Sequence, residues 1–182
     1  MQADEQQFTF DDIDALTGGV VDANMVAEWH RRDEWLTPAK QPRRGKPYLY
    51  SLAHLFEVRF RAELISLGVS QKAARVTLET LLMGEAIGRR RLEGRATSRN
   101  IEEELPREIH ALLETSRGET RRLWAIYFGG ALGSRSPVYA RPVKDDVPVK
   151  KLLVQEAAPY VLVLDAALIV HDVLAYAKQR TK

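Results

Sequence analysis

The sequence predicts an α+β fold that is mostly helical, with one β-hairpin in the helical first half and a small mixed α/β unit at the C-terminal end. Apolar residues recur at helical spacings of three and four, between capping residues, from Phe10 to Leu113. From Arg121 onward, aromatic and β-branched residues form short runs interrupted by glycine and proline, which is typical of strands. With 182 residues, 45% apolar and 29% charged, the chain has the composition of a globular protein.

The first two helices are predicted to be short and joined by a glycine-containing turn. Thr9 and Asp12 form a start like a capping box for a helix that ends at Gly18. Asp22 lies where the N-cap of a second helix belongs, over residues 23 to about 32. Two such helices form a helix-turn-helix unit. The side chains expected on the outer edge of the second helix are Asn24, Glu28, His30, Arg31 and Arg32.

The segment after the second helix is predicted to form a β-hairpin, or wing. Three prolines between Leu36 and Tyr50 exclude a helix, and a turn at residues 43–45 separates two extended arms. Ser51 is expected to cap a helix over residues 52–67, and a further helix is expected over residues 71–92. The wing side chains that suit contact with phosphates or the minor groove are Arg43, Arg44, Lys46 and Tyr48.

The rest of the chain is predicted to hold two more helices, three strands and a closing helix. A helix is expected from about Asn100, restarted at Pro106, to Gly118. Strands are expected in RLWAIYFGG and SPVYARPV, whereas VPVKKLLVQE favours a helix. PYVLVLD is predicted to be a strand buried on both faces, and AALIVHDVLAYAKQ an amphipathic helix.

Positive charge is unevenly distributed, although the formal net charge is only +2. Residues 29–61 contain eight Lys or Arg against three Asp or Glu, and residues 72–99 contain seven against three. Such local excess is typical of a protein with one surface that faces a polyanion. The run Arg89–Arg91 has two open interpretations: an extension of a phosphate-binding surface, or a solvated helix end whose charge suits the helix dipole.

Four sequence segments occur in a fixed order in the first half of the chain: FTFDDIDALTG, VAEWHRRDEWLTP, RRGKPYLYS and ELISLGVSQKA. Over residues 8–82 this order resembles the MerR-type winged helix-turn-helix family. The resemblance implies a sequence-specific transcription regulator that binds double-stranded DNA, as a homodimer, through the second helix and the wing. The chain departs from the family pattern in the middle of the second helix, where Ala27 and Glu28 stand in place of the usual arginine.

The chain divides into three predicted units. Residues 8–70 form a MerR-like winged helix-turn-helix domain, and residues 71–99 a connecting or dimerisation helix with a basic end. Residues 100–182 form a small α+β unit for dimerisation, effector binding or contact with a partner such as the transcription machinery. The acidic start and the lack of an apolar run of about 18 residues predict a cytoplasmic, nucleoid-associated protein without a membrane partner. Without cysteine, neither a thiolate metal site nor a disulfide is expected, and no cofactor is predicted.

Two alternative functions use the same module. One is an excisionase-like or architectural accessory protein that binds DNA without regulating a promoter. The other is a protein-interaction adaptor built on a winged-helix scaffold. The acidic residues Glu28, Asp33 and Glu34 favour the adaptor, because negative charge near phosphates weakens DNA binding.

An enzyme is not expected. The candidate catalytic residues His110, Asp165 and His171 belong to no recognised pattern, since the sequence has no phosphate-binding loop, nucleophile elbow or HExxH spacing. Asp165 follows an apolar run and precedes a helical one, so it is expected to cap a helix.

Overall fold

The computed structural model describes residues 7–37, 45–92, 105–115, 121–128, 137–143 and 160–180. These residues form six helices and one three-stranded antiparallel sheet, which confirms the predicted α+β class with helices in the majority. Within these ranges no helix is long and apolar enough to cross a membrane. The elements are α1 (Phe10–Thr17), α2 (Ala23–Arg31), α3 (Leu52–Ser66), α4 (Gln71–Leu92), α5 (Leu105–Thr115), β1 (Leu123–Phe128), β2 (Pro137–Val143), β3 (Tyr160–Asp165) and α6 (Ala166–Arg180).

Helices α1, α2 and α3 begin at the capping residues that the sequence predicts. The backbone N–H of Thr9 donates to the Asp12 carboxylate at 2.8 Å, which forms the capping box of α1. The Asp22 carboxylate accepts the N–H of Met25 at 2.8 Å at the start of α2. At the start of α3, the N–H of Ser51 donates to a histidine ring nitrogen three residues later, at 3.1 Å. These local bonds fix where each helix starts.

Helix α3 lies at the centre of the molecule. Eleven of its fifteen residues are buried, and it packs against α1, α4, α5 and α6. One buried apolar cluster runs from Phe8 to Ala177 and includes residues from all three predicted units. Both ends of the described chain therefore share one core, which is organised around α3.

The apolar stripe of helix α4 packs against other elements of the same chain. The stripe is buried against α3, α5 and β2, and its members are Ala74, Leu78, Leu81, Leu82 and Ala86. The opposite side of α4 exposes Lys72 and Val76. A dimer formed through residues 71–86 would have to use that exposed side.

The sheet has the order β2–β1–β3, with β1 in the middle. Residues Trp124 to Tyr127 of β1 are at most 1% exposed. The predicted strand in PYVLVLD is confirmed as β3, but its predicted burial on both faces is wrong, because Val161 to Leu164 are only half-buried. The cause is its position: β3 pairs with β1 and lies at the edge of the described sheet, while the strand from RLWAIYFGG takes the central place.

Gly84 lies where β2 packs against α4, and its size is expected to matter for stability. A Cβ atom at Gly84 would lie 2.8 Å from Cδ of Pro142. We expect Gly84→Ala to lower the free energy of unfolding by about 1–3 kcal/mol through overpacking, although alanine favours a helix by about 1 kcal/mol. Urea denaturation measures the change. Adding Pro142→Ala should restore the loss, and a simple gain in stability for Gly84→Ala would contradict this contact.

Candidate nucleic-acid interface

The predicted pair of short helices with a glycine turn between them is present at the N-terminus. Helix α1 ends at Gly18, whose φ of 61° is left-handed, and Gly19 follows with a φ of 78°. Positive φ values of this kind strain residues with a side chain, so these two glycines make the sharp turn possible. Val21 is fully buried just before α2, which holds the turn against the core.

The inner face of α2 is fixed by contacts with three other segments. Trp29 is fully buried, and its indole N–H donates to the side-chain oxygen of Gln71 at 3.1 Å. The guanidinium carbon of Arg61 lies 3.4 Å from the centroid of the same indole ring, which is a cation–π contact. Trp35 packs edge-on at 5.3 Å between ring centroids. These contacts set the rotation of α2 about its own axis.

The outer face of α2 is a polar stripe, here called the outer stripe, made of Asn24, Ala27, Glu28 and Arg31. Asn24, Ala27 and Arg31 are exposed, and Glu28 is half-exposed. A Glu28 carboxylate oxygen lies 3.3 Å from the Arg31 guanidinium and also pairs with Arg32. The two arginine side chains are 72% and 59% exposed. Four of the predicted outer residues therefore lie where expected, with their charges partly paired.

His30 does not belong to the outer stripe, contrary to the prediction. Its ring stacks on Tyr48 with 3.7 Å between centroids, and its Nε2 lies 3.0 Å from the Tyr50 hydroxyl. Burial lowers the pKa of His30, so the packing favours the neutral ring. Tyr48, predicted to contact DNA from the wing, is half-buried against this histidine. Both residues therefore serve to join α2 to the segment that precedes α3.

The predicted wing lies largely outside the described residues, and so do Arg43 and Arg44. In the predicted second arm, residues 45–49 do not form a strand. Tyr50, at the end of this arm, exchanges two backbone hydrogen bonds with Phe8, at 2.9 and 2.8 Å. This arm is therefore joined to the residue that precedes α1. Lys46 is exposed in it.

A buried ion pair on α3 holds the backbone at Leu36 and Thr37, where the predicted wing would begin. The Glu57 carboxylate accepts the backbone N–H groups of Leu36 at 3.1 Å and of Thr37 at 3.3 Å. It also accepts a hydrogen bond from Arg61 at 3.2 Å, and both side chains are 0% exposed. Arg61 donates in addition to the backbone oxygen of Glu34 at 3.3 Å. Burial raises the pKa of Glu57 and lowers that of Arg61, and in each case the partner's charge opposes the effect.

Sequence reasoning missed this pair. The available signal was a Glu and an Arg four residues apart in a helix that is otherwise apolar, FEVRFRA. The predicted surface of eight cations in residues 29–61 includes Arg61, and this is wrong because Arg61 is buried. Arg59 also leaves the surface cluster, because it pairs with Glu63 at 2.6 Å and with Asp172 of α6 at 3.3 Å. Among the described residues of that range, the exposed cations are Arg31, Arg32 and Lys46. The side chains of Arg89, Arg90 and Arg91 lie outside the described residues.

Asp165 caps α6, as the sequence predicts. Its carboxylate accepts the N–H of Ala167 at 3.0 Å and the N–H of Arg122 at 3.1 Å. His171 is exposed on α6, and its neighbour Asp172 pairs with Arg59 of α3. The structure therefore gives Asp165 a capping role at the junction between β3 and α6.

No family model matches this chain, and no curated protein matches its sequence. The resemblance of residues 8–82 to the MerR type therefore rests on the four ordered sequence segments.

Proposed function

We propose that this protein is a sequence-specific, double-stranded DNA-binding transcription regulator with a MerR-like winged helix-turn-helix, acting as a homodimer. The observation that carries the proposal is the division of α2 into two faces. Its inner face is buried and fixed by Trp29, and its outer stripe is exposed, polar and continued by Arg32. A helix held in this way presents a defined set of side chains to a partner.

The dimensions of α2 suit the major groove of DNA. A helix is about 10–12 Å across with its side chains, and the groove is about 12 Å wide. Asn24 and Arg31 are seven residues apart, which is about 10.5 Å along a helix, or about three base-pair steps. Asparagine pairs well with adenine, and arginine pairs well with guanine. The two ends of the outer stripe thus supply side chains for two separated bases.

The fixed orientation of α2 supports specific recognition. A side chain can contact a particular base only if its helix is held in one orientation. The residues packed around the helix hold it in this way. The indole of Trp29 is held between the Arg61 guanidinium and Trp35, and its N–H is bonded to Gln71. Since Arg61 also holds Glu57, the same buried pair supports α2 and the start of the wing.

Phosphate contacts would come from the basic residues around this helix. Arg32 and Lys46 are exposed there, and Arg43 and Arg44 lie between them in the sequence. Contacts of this kind position a protein on DNA and make its affinity depend on salt. Glu28 opposes them, because it pairs with both arginines of α2.

Glu28→Gln is expected to strengthen binding to DNA. It frees Arg31 for its base and Arg32 for a phosphate. The loss of an exposed ion pair of roughly 0.2–1 kcal/mol corresponds to an affinity gain of up to about fivefold. The salt dependence of binding should become steeper. Fluorescence anisotropy with a labelled double-stranded DNA of mixed sequence, over a series of salt concentrations, measures both effects.

Glu63→Gln is the matched control. Glu63 is also a half-exposed glutamate paired with an arginine four residues away, but it lies on α3 and faces α6. This variant should bind DNA like the unchanged protein. If Glu28→Gln leaves affinity and salt dependence unchanged, α2 does not face DNA. No DNA binding by any variant would favour the adaptor function, which the pairing of Glu28 with both arginines supports.

Mapping of bound sites across a genome separates the two DNA-binding functions. Sites confined to promoter regions support a regulator, and sites at an attachment locus support an accessory protein. Asn24→Ala and Arg31→Ala should each relax the preference at one base of the mapped site, by roughly 1–3 kcal/mol.

A further inference from the structure

Strand β3 leaves one edge of the sheet open. The backbone N–H of Ala166 donates to the oxygen of Arg122 at 2.7 Å, which marks these two residues as a hydrogen-bonded pair. In an antiparallel ladder such pairs alternate along the strand. With the observed register, Leu162 and Leu164 bond to β1, while Val161 and Val163 direct their N–H and C=O groups away from it. In the part of the chain that the structure describes, no strand pairs with these outward groups.

The opposite edge of the sheet is blocked. By the same alternation, Pro142 of β2 is directed away from β1, and proline has no N–H to offer a further strand. The ring of Pro142 also lies against Gly84, and α4 packs against β2 there. Proline is a common way to prevent strands from pairing at an edge. At the other edge, residues 161–164 are Val-Leu-Val-Leu, without charge or proline.

The side chains of β3 are half-buried on both faces of the sheet. Leu162 and Leu164 pack on the main core, and Val161 and Val163 pack beside Ala125 and Tyr127 on the other face. The second cluster is small, with only Ala125 and Tyr127 fully buried among the described residues. A further strand beside β3 would remove more apolar surface from water on both faces at once.

We propose that β3 pairs with β3 of a second copy of this chain, antiparallel, so that two three-stranded sheets join into one sheet of six strands. The pairing is centred on Leu162. Val161 of each copy lies opposite Val163 of the other, and their outward groups form four N–H···O bonds. The arrangement has twofold symmetry, as most homodimers do. It does not depend on DNA binding.

A second copy fits this edge because the strand is complementary to itself. The two outward positions carry the same residue type, on either side of Leu162, and no like charges meet across the centre. The apolar stripe of α4, the other surface expected to dimerise, is buried within the chain up to Ala86. The β3 edge therefore supplies the dimer contact that α4 does not.

Sedimentation velocity on the full chain without DNA provides the first test. The chain should form a dimer, and Val163→Lys should raise the dimer dissociation constant by on the order of tenfold or more, because each lysine would replace an apolar contact with Val161 of the other copy and the two lysines would lie diagonally across the joined edge. Val76→Lys is the matched control, since Val76 is an exposed valine on α4, and it should leave the dimer unchanged. A monomeric full chain, or a dimer that Val163→Lys does not weaken, overturns the proposal.

Cysteine cross-linking provides a second test that does not require Val163→Lys to fold. The chain has no cysteine, so Leu162→Cys introduces a single one. In the proposed register the two copies of residue 162 form a non-hydrogen-bonded pair, with about 4.5 Å between Cα atoms, which a disulfide can bridge. Oxidation should give a covalent dimer for Leu162→Cys and little for Val76→Cys. Absence of the cross-link in a sample that sediments as a dimer overturns the register and the edge contact. Either failure leaves DNA binding by α2 in place, because neither test contains DNA. A monomeric full chain would also remove the homodimer from the proposed function, whereas a dimer that uses another surface would not.

Discussion

Glu57→Gln is expected to lower the free energy of unfolding by about 3–5 kcal/mol, because it leaves the buried charge of Arg61 with only the more distant Glu34 carboxylate, at 3.8 Å, as an anionic partner. Arg61 is 0% exposed, so water cannot replace the lost carboxylate. Glutamine also accepts the backbone N–H groups of Leu36 and Thr37 more weakly than a carboxylate does. The loss should appear in urea denaturation as a lower midpoint with an unchanged slope.

A double-mutant cycle separates the ion pair from its surroundings. Arg61→Met alone should also destabilise the protein, since it removes the partner of Glu57 and the contact with the Trp29 ring. The double variant Glu57→Gln/Arg61→Met should recover much of the loss, because a buried pair replaced by neutral groups often costs little. Arg59–Glu63 is the half-exposed control pair, and Glu63→Gln should cost less than about 1 kcal/mol. Additive single effects in the cycle would show that the two residues do not act as a pair.

Trp124→Ala is expected to lower the free energy of unfolding by about 3–5 kcal/mol, as large-to-small changes in a core do. Trp124 is fully buried in β1, packs edge-on against Phe56 and Phe60 of α3, and donates its indole N–H to Glu85 of α4 at 3.0 Å. Trp124→Phe keeps most of the packing and loses the hydrogen bond, so it should cost less.

The same variant tests whether the sheet and the N-terminal helices unfold together. Because α3 belongs to the shared core, Trp124→Ala should reduce hydrogen-exchange protection of the α3 amides as well as those of β1. Far-ultraviolet circular dichroism and tryptophan fluorescence should then report one transition. Loss of protection in the sheet alone would mean that residues 121–180 form a separate folding unit.

The features that the sequence predicts well depend on local contacts. Asp12 bonds to a residue three positions away, and the Asp22 cap spans the same separation. Such bonds join residues that are close in the sequence, so the starts of these helices and the glycine turn can be predicted from the sequence. The class of the fold follows for a similar reason, since helix and strand periodicities are local patterns.

The features that the sequence does not predict depend on contacts between distant residues. Glu57 bonds to Leu36 across 21 positions, and Trp29 bonds to Gln71 across 42. Helical spacing predicts which face of a helix a residue lies on, and charged residues usually lie on an exposed face. Helix α3 is buried on almost every face, so Glu57 and Arg61 are buried although they are charged. The edge position of β3 is similar, because strand order depends on the whole sheet. The position of His30 also depends on a distant contact, because its stacking partner Tyr48 belongs to another segment of the chain.

The two faces of α2 also bear on how this protein could acquire new specificities. Residues Val26 and Trp29 are buried and constrained by the core, so most changes there would destabilise the fold. Asn24, Ala27 and Arg31 are exposed, and substitutions at such positions usually change stability by less than about 0.5 kcal/mol. The outer stripe can therefore diversify while the scaffold stays constant, and a combinatorial library at these positions would sample recognition with little loss of folded protein.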